Sequence, residues 1–334
     1  MIRPLVTTFI LFFFGITVVT AQYTETINNN RPGGSQGAFS VGTQVLQFEG
    51  GFGLGQEEHR LLQNETSAFA IDYAIRYGFL WEELEVSLMG EFQRNLITDN
   101  RGANATEDVF SNFRSNTLGV KYLVYDPYRK RDLEGPNLYS WKANNRFQWR
   151  DLIPAVSLYA GANLDFIDIP EGKFENNTLT TVEGLQLSPK FVLATQNNFL
   201  GGFVFVSNII VDRIGAPNPR YGYILTLTHT ITRWFSVFVE NQGFKSDLYS
   251  DQLFRGGIAA LLTKDWQVDA SVLLNFKDTP SRLWGRVGVS YRFDMHDKDE
   301  FIEDKGRSKR ERKKDKKQKR EDGIEDDGGK QLKF

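Results

Sequence analysis

Residues 283–294 read L-W-G-R-V-G-V-S-Y-R-F-D, and this stretch restricts the fold more than any other. Leu283, Gly285, Val287, Val289, Tyr291 and Phe293 occupy one parity; Trp284, Arg286, Gly288, Ser290, Arg292 and Asp294 occupy the other. Successive side chains of a β-strand point to opposite faces, so strict alternation with two arginines on one side specifies a strand with one apolar and one wet face. The same pattern recurs about a dozen times. It returns at 43–55, 68–79, 83–94, 115–125, 154–166, 185–195, 199–212, 221–230, 234–242, 254–263 and 266–276. The second of these sets Phe69, Ile71, Tyr73, Ile75, Tyr77 and Phe79 against Ala68, Ala70, Asp72, Ala74, Arg76 and Gly78. Both faces of 199–212 are apolar, which leaves its orientation open.

The start of the chain decides between a soluble sandwich and a membrane barrel. Arg3 precedes an apolar run from Leu5 to Val19, and Thr20 and Ala21 supply small residues, the pattern of a signal peptide cleaved after Ala21. Beyond it no apolar run is long enough for a membrane-spanning helix, and the mean hydropathy of −0.38 excludes a helical membrane bundle. It does not exclude a barrel, whose strands offer lipid only every second side chain. The expected fold is therefore all-β: a transmembrane antiparallel up-and-down barrel of about 12 strands over residues 41–294, in the outer membrane of a bacterium. A chain without cysteine suits an exported protein held by a closed hydrogen-bond network.

The connections after strands two, six, eight and ten are short, and those after odd strands are mostly longer. This predicts periplasmic turns at one end, outer loops at the other, and both termini in the periplasm. Phe79, Trp81, Trp234, Phe235, Trp266, Tyr291 and Phe293 fall at the short-turn ends, as an interfacial girdle would. The implied partners are outer-membrane lipid and, during insertion, the barrel-assembly machinery, which reads a terminal strand ending in aromatics such as Tyr291 and Phe293.

Three segments break the rhythm. Residues 22–40 are polar and turn-rich, which fits either a periplasmic arm or a lumen plug. The stretch 125–153 is basic and then aromatic, with Arg129-Lys130-Arg131, Trp141 and Trp149. It allows a short helix or extensions of the flanking strands. From 295 to 334 a basic block is followed by an acidic one, too poor in apolar residues to fold, so a disordered periplasmic tail is expected.

The faces opposite the lipid carry Glu49, Asp72, Arg76, Glu85, Glu91, Lys121, Asp165, Lys190, Glu240, Arg255, Asp269, Arg286 and Arg292. Charges of both signs on one wall can line a wet pore and select solutes, or pair and fill a narrow barrel. The glycines of Gly51-Phe52-Gly53-Leu54-Gly55 read as room on a crowded inner wall. A hydrolytic site would need His with Ser, Asn or Asp partners at the outer rim. Of His59, His229 and His296 only His59 falls there, beside Glu57 and Glu58. No catalytic residue, metal site or cofactor is expected, and the near-neutral charge of −2 gives no reason to expect nucleic acid. Oligomeric state is not legible.

The runs 137–144 (N-L-Y-S-W-K-A-N) and 147–155 (F-Q-W-R-D-L-I-P-A) resemble segments of outer-membrane transporter proteins of Bacteroidota, in the phenol-degradation meta-pathway (MetA-like) family. So do Arg31-Pro32-Gly33, Gly37-Ala38-Phe39, Glu240-Asn241-Gln242-Gly243, Lys277-Asp278-Thr279-Pro280-Ser281-Arg282 and Tyr291-Arg292-Phe293. The resemblance covers most of 31–294. It implies a barrel and passage of small solutes, aromatic or apolar ones among them, but supplies no signature binding residues. Two functions follow: a passive outer-membrane channel, or a structural or accessory barrel with a blocked lumen that acts through periplasmic partners.

Overall fold

A computed structural model describes residues 27–129, 139–140, 149–165, 186–215, 219–247 and 249–295, with the side chains of Asp165 and Gln186 outside that description. The chain divides into two units, Met1–Met295 and His296–Phe334. The expected signal peptide over 1–21, Trp141 and the expected tail, from residue 296 on, lie outside the described residues.

Among the described residues of the first unit are twelve strands: β1 (Val45–His59), β2 (Asn64–Gly78), β3 (Leu84–Asp99), β4 (Thr106–Tyr125), β5 (Ala155–Asp165), β6 (Gln186–Phe199), β7 (Phe203–Asp212), β8 (Arg220–Thr232), β9 (Phe235–Lys245), β10 (Ser250–Leu261), β11 (Trp266–Asn275) and β12 (Ser281–Asp294). Each pairs antiparallel with its sequence neighbours, and β12 returns to β1 from Val45↔Asp294 to Glu58↔Ser281. This closure gives every strand two partners and leaves no sheet edge, the condition under which a sheet can stand in lipid.

Alternation places the side chains as the sequence predicts. On β12 Leu283, Val287, Val289 and Phe293 are exposed outward, while Arg282, Trp284, Ser290 and Arg292 are buried inside. On β1 Phe48, Phe52 and Leu54 face out against Gln47 and Glu49 within. Strands rise about 3.4 Å per residue and tilt about 40° in barrels, so Leu283 to Phe293 covers about 26 Å of height. That matches an apolar band of about 25 Å. A surface this apolar is costly in water and stable against hydrocarbon. The register of β7 is also settled: Val204, Val206, Asn208, Ile210 and Asp212 share the parity of the buried Val206 and Asn208, which is the inner one.

The inner wall is packed by matched sizes. Buried Trp284 lies where a side chain at Gly55 would stand, and its indole N–H donates to Glu57 at 3.1 Å. Gly55 thus makes room, as the glycine run suggested.

The strand ends differ from those read in the sequence. Residues 95–113, expected as an outer loop, are mostly ladder: β3 and β4 stay paired out to Asp99↔Thr106. Likewise β1 and β2 pair as far as His59↔Asn64. Above the lipid both faces of a strand are wet, so the alternation that marks it disappears while backbone pairing continues. The outer connections shrink accordingly, 60–63 between β1 and β2 and 276–280 between β11 and β12. The longest connection, 126–154, lies at the short-turn end and contains a 3-10 turn at Trp149–Leu152.

Candidate functional site: the lumen and the segment that crosses it

Residues 27–41 have no periodicity and add no strand, so their backbone groups need partners, and the inner wall provides them. The Ile27 N–H donates to the Lys264 carbonyl at 2.8 Å, in the turn between β10 and β11. The Asn28 carbonyl accepts from Gln47 Nε2 at 3.1 Å and Arg76 Nη1 at 2.8 Å. Arg31 reaches β11, donating to both Asp269 oxygens at 3.1 Å, and also pairs with Asp72 of β2. The Gly34 N–H lies 2.9 and 3.1 Å from the two Glu240 oxygens. Gln36 exchanges two bonds with Asn208, its N–H donating at 2.6 Å and its carbonyl accepting at 2.8 Å. Lys121 donates to the carbonyls of Gly37 and Phe39 at 3.2 and 2.9 Å. The Val41 N–H donates to Glu85 at 3.1 Å, and Gly42, at φ 91°, turns the chain toward β1. The segment therefore traverses the lumen with anchors on β1 and β2, then β11, β9, β7, β4 and β3, and begins and ends at the short-turn end.

The wall charges pair with one another around this path. Near the short-turn end, Arg76 lies between Glu49 at 3.0 Å and Glu85 at 2.8 Å, and Lys121 is 3.2 Å from Glu85; all four are buried. At mid-height Arg286 links Glu91 at 2.9 Å to Asp72 at 3.5 Å, and Arg114 joins Glu91 at 2.8 Å. Across the lumen Arg255 pairs with Glu240 at 3.0 Å. Arg292 meets Asp265 at 2.9 Å, and Arg282 lies within 3.8 Å of both Glu57 and Asp251. Burying ions costs several kcal/mol each unless partners compensate, so removing one member of such a cluster is far more harmful than replacing the whole.

The lumen is polarised in a second sense. The inner faces of β6 to β9 supply Val192, Val206, Ile210, Ile224, Phe238 and Phe244, whereas β1 to β3 and β10 to β12 supply most of the paired charges. Two cavities lie on the side of β6 to β9. One of about 180 Å³ has Val192, Ile210, Ile224 and Phe244 in its wall, with Lys190, Asp212 and Arg220 at the outer end. One of about 210 Å³ lies toward the short turns, against Val204, Val206, Thr226, Thr228 and Phe238. Gly34 and Gln36 line the first; Gly33, Ser35 and Gly37 line the second. The crossing segment thus separates them. A larger cavity of about 370 Å³ adjoins the first and extends to Arg31, Asp72, Glu91, Arg282 and Trp284.

Every candidate wall residue with a described side chain points inward; Asp165 has none. The seven girdle residues all lie at the short-turn end. Trp266 packs against Tyr291 with ring centroids 4.5 Å apart, and Phe79 lies 6.3 Å from Tyr77. His59 Nδ1 accepts from the Leu62 N–H at 3.2 Å in the first outer turn, and His229 stacks on Phe203 at 4.1 Å, away from the lumen. The strand-by-strand reading missed Arg31, Arg114, Asp212 and Arg220. Arg31 has no pattern around it, and Arg114 precedes the stretch read as strand four. Asp212 and Arg220 stand at strand ends, where alternation has already faded.

One protein-family model, described as "Putative MetA-pathway of phenol degradation", matches residues 29–293. No curated protein matches the chain by sequence. Among solved structures it is similar to an outer membrane channel from Pseudomonas putida F1, with 9% identity, a TM-score of 0.46, and coverage of 80% of this chain and 100% of that one. It is also similar to the translocator domain of the autotransporter NalP from Neisseria meningitidis, at 13% identity, TM-score 0.41, and coverage of 75% and 89%. For the monoaromatic hydrocarbon channel CymD the figures are 10%, 0.40, 76% and 90%. These likenesses concern barrel architecture and extend no further.

Proposed function

The chain belongs to the family described as "Putative MetA-pathway of phenol degradation", and from that premise we propose that it is an outer-membrane channel for small solutes, constricted by residues 27–41. The observation that carries this reading is the pair of cavities, about 180 and 210 Å³, on either side of the crossing segment against one apolar wall. Residues 33–37 line both, Gly34 and Gln36 the first and Gly33, Ser35 and Gly37 the second, and are held to β7 and β9 by Asn208 and Glu240. A shift of that short stretch joins the cavities into a path along β6 to β9. The apolar strip suits solutes with an aromatic or apolar body, which agrees with the family's description, while the charged half of the wall keeps water in the lumen. The exposed apolar band and the aromatics at one end support an outer-membrane position.

Liposome swelling and planar-bilayer recording with the purified full-length protein test the proposal. Uptake of single-ring solutes with small, flickering conductance is expected. Neither current nor uptake would favour a blocked structural barrel.

A further inference from the structure

Two of the lumen's cations differ from the rest. Each ion-paired cation of the wall described above, and Arg31 of the crossing segment, has a carboxylate within 4.0 Å. Lys190 of β6 and Arg220 of β8 have none among the described residues. They flank one residue of β7: Lys190 and Arg220 are both register partners of Asp212, so their Cα atoms are about 10 Å apart across two strand spacings. Asp212 is instead 2.6 Å from Asn163 Nδ2, which donates to it. The Arg220 guanidinium lies over the Phe244 ring at 3.9 Å, which occupies its face and leaves its edge donors for an acceptor. All three charges open into the cavity of about 180 Å³, and directly below them lie Ile210, Ile224 and Phe244. Two cations against one carboxylate at the mouth of a pocket with an apolar patch, which Gln36, Asn208 and Gln242 also line, match a ligand with one negative end and a compact hydrocarbon body.

We propose that this pocket is a binding site for small monocarboxylates of single-ring size, the carboxylate held between Lys190 and Arg220 and the ring against Ile210, Ile224 and Phe244. The site rests on the channel reading for its purpose, as the outer station of the path, but not for its chemistry. Two half-buried cations sharing one carboxylate leave a positive charge that an incoming carboxylate balances. The apolar wall then discriminates against simple inorganic anions. The cavity is smaller than the roughly 300 Å³ at which drug-sized pockets begin, and a body of about one ring fits within it.

The test compares benzoate with its neutral counterpart benzyl alcohol and with chloride, by calorimetric titration of the folded full-length barrel in detergent and by liposome uptake. Benzoate binding to the wild type is expected, with benzyl alcohol at least tenfold weaker and no saturable binding of chloride. Lys190→Gln with Arg220→Gln should weaken benzoate about tenfold or more. Arg101→Gln, which removes a positive charge from the outer turn beside Asp99, should leave it unchanged. Retention of the heat-modifiable folded band in gels checks that the double variant is folded. Equal binding of benzoate and benzyl alcohol, or benzoate binding unaffected by the double substitution, overturns the site. Benzoate binding without uptake of any solute supports the site and overturns the channel; uptake without binding does the reverse.

Discussion

Arg31 and Asp269, 238 residues apart in sequence, meet inside the barrel: the Arg31 Nε and Nη2 atoms each lie 3.1 Å from an Asp269 carboxylate oxygen. The same guanidinium pairs with Asp72 on β2, so a single side chain ties the crossing segment to two strands of the wall, with β1 and β12 between them. The segment's other side-chain anchors are mostly wall groups bonding its backbone.

Substituting Arg31→Ala removes that tie and leaves two carboxylates facing each other. Loss of one partner from a largely buried pair costs about 3 kcal/mol or more. The amides of residues 30–36 should exchange at least tenfold faster by hydrogen-exchange mass spectrometry, while those of β1 to β12 keep their protection. Unchanged protection in 30–36 would show that Arg31 is not the anchor.

Gly288→Ala should reproduce much of that effect without altering Arg31 itself. A side chain at Gly288, or at Gly51 beside it, collides with the Arg31 guanidinium and not with backbone. The flexible arginine therefore yields first, and barrel stability in a denaturant titration should fall by less than about 1 kcal/mol. A large loss of stability with unchanged exchange in the segment would mean that the wall yields instead.

Glu85→Gln should be the most damaging conservative change in the wall. It removes the charge that Arg76 meets at 2.8 Å and Lys121 at 3.2 Å, leaving two buried cations with Glu49. A loss of about 3 kcal/mol is expected in denaturant unfolding in lipid. Glu85→Gln combined with Lys121→Met restores the charge balance and should recover part of it.

Val287→Arg, at mid-height on the outward face of β12, should cost about 2–4 kcal/mol in the same assay, whereas Leu61→Arg in the first outer turn should cost about 1 or less. Both residues are exposed, Val287 at 56% and Leu61 at 78%. Equal costs would place the apolar band elsewhere.

The strands were legible because lipid imposes a period of two: Val287 and Arg286 differ in kind because one meets hydrocarbon and the other the lumen. Where that contrast ends the code ends too, and Glu57, Glu65 and Thr98 belong to ladders that no alternation announces. The charged wall could be read from parity alone, Glu49 through Arg292, but not its pairing, since Arg286 finds Glu91 on β3 only once β12 has closed onto β1. The crossing segment was legible as irregular and no more. Its partners, Asp269, Glu240 and Asn208, are single residues scattered over the chain, and nothing local to Arg31 points to them. Lys190 was recognisable as inward-facing. That neither it nor Arg220 has a carboxylate within 4.0 Å among the described residues, although both flank Asp212, is a property of the assembled lumen.

In the proposed channel, residues 33–37 are the barrier between two halves of a solute path. Single-channel recording in planar bilayers, comparing the full-length protein with a variant in which residues 30–37 are replaced by a shorter glycine–serine link, tests it most directly. A small or intermittent conductance that becomes several-fold larger and steady in the variant is the predicted result. Equal conductance in the two proteins, or none in either, would contradict it.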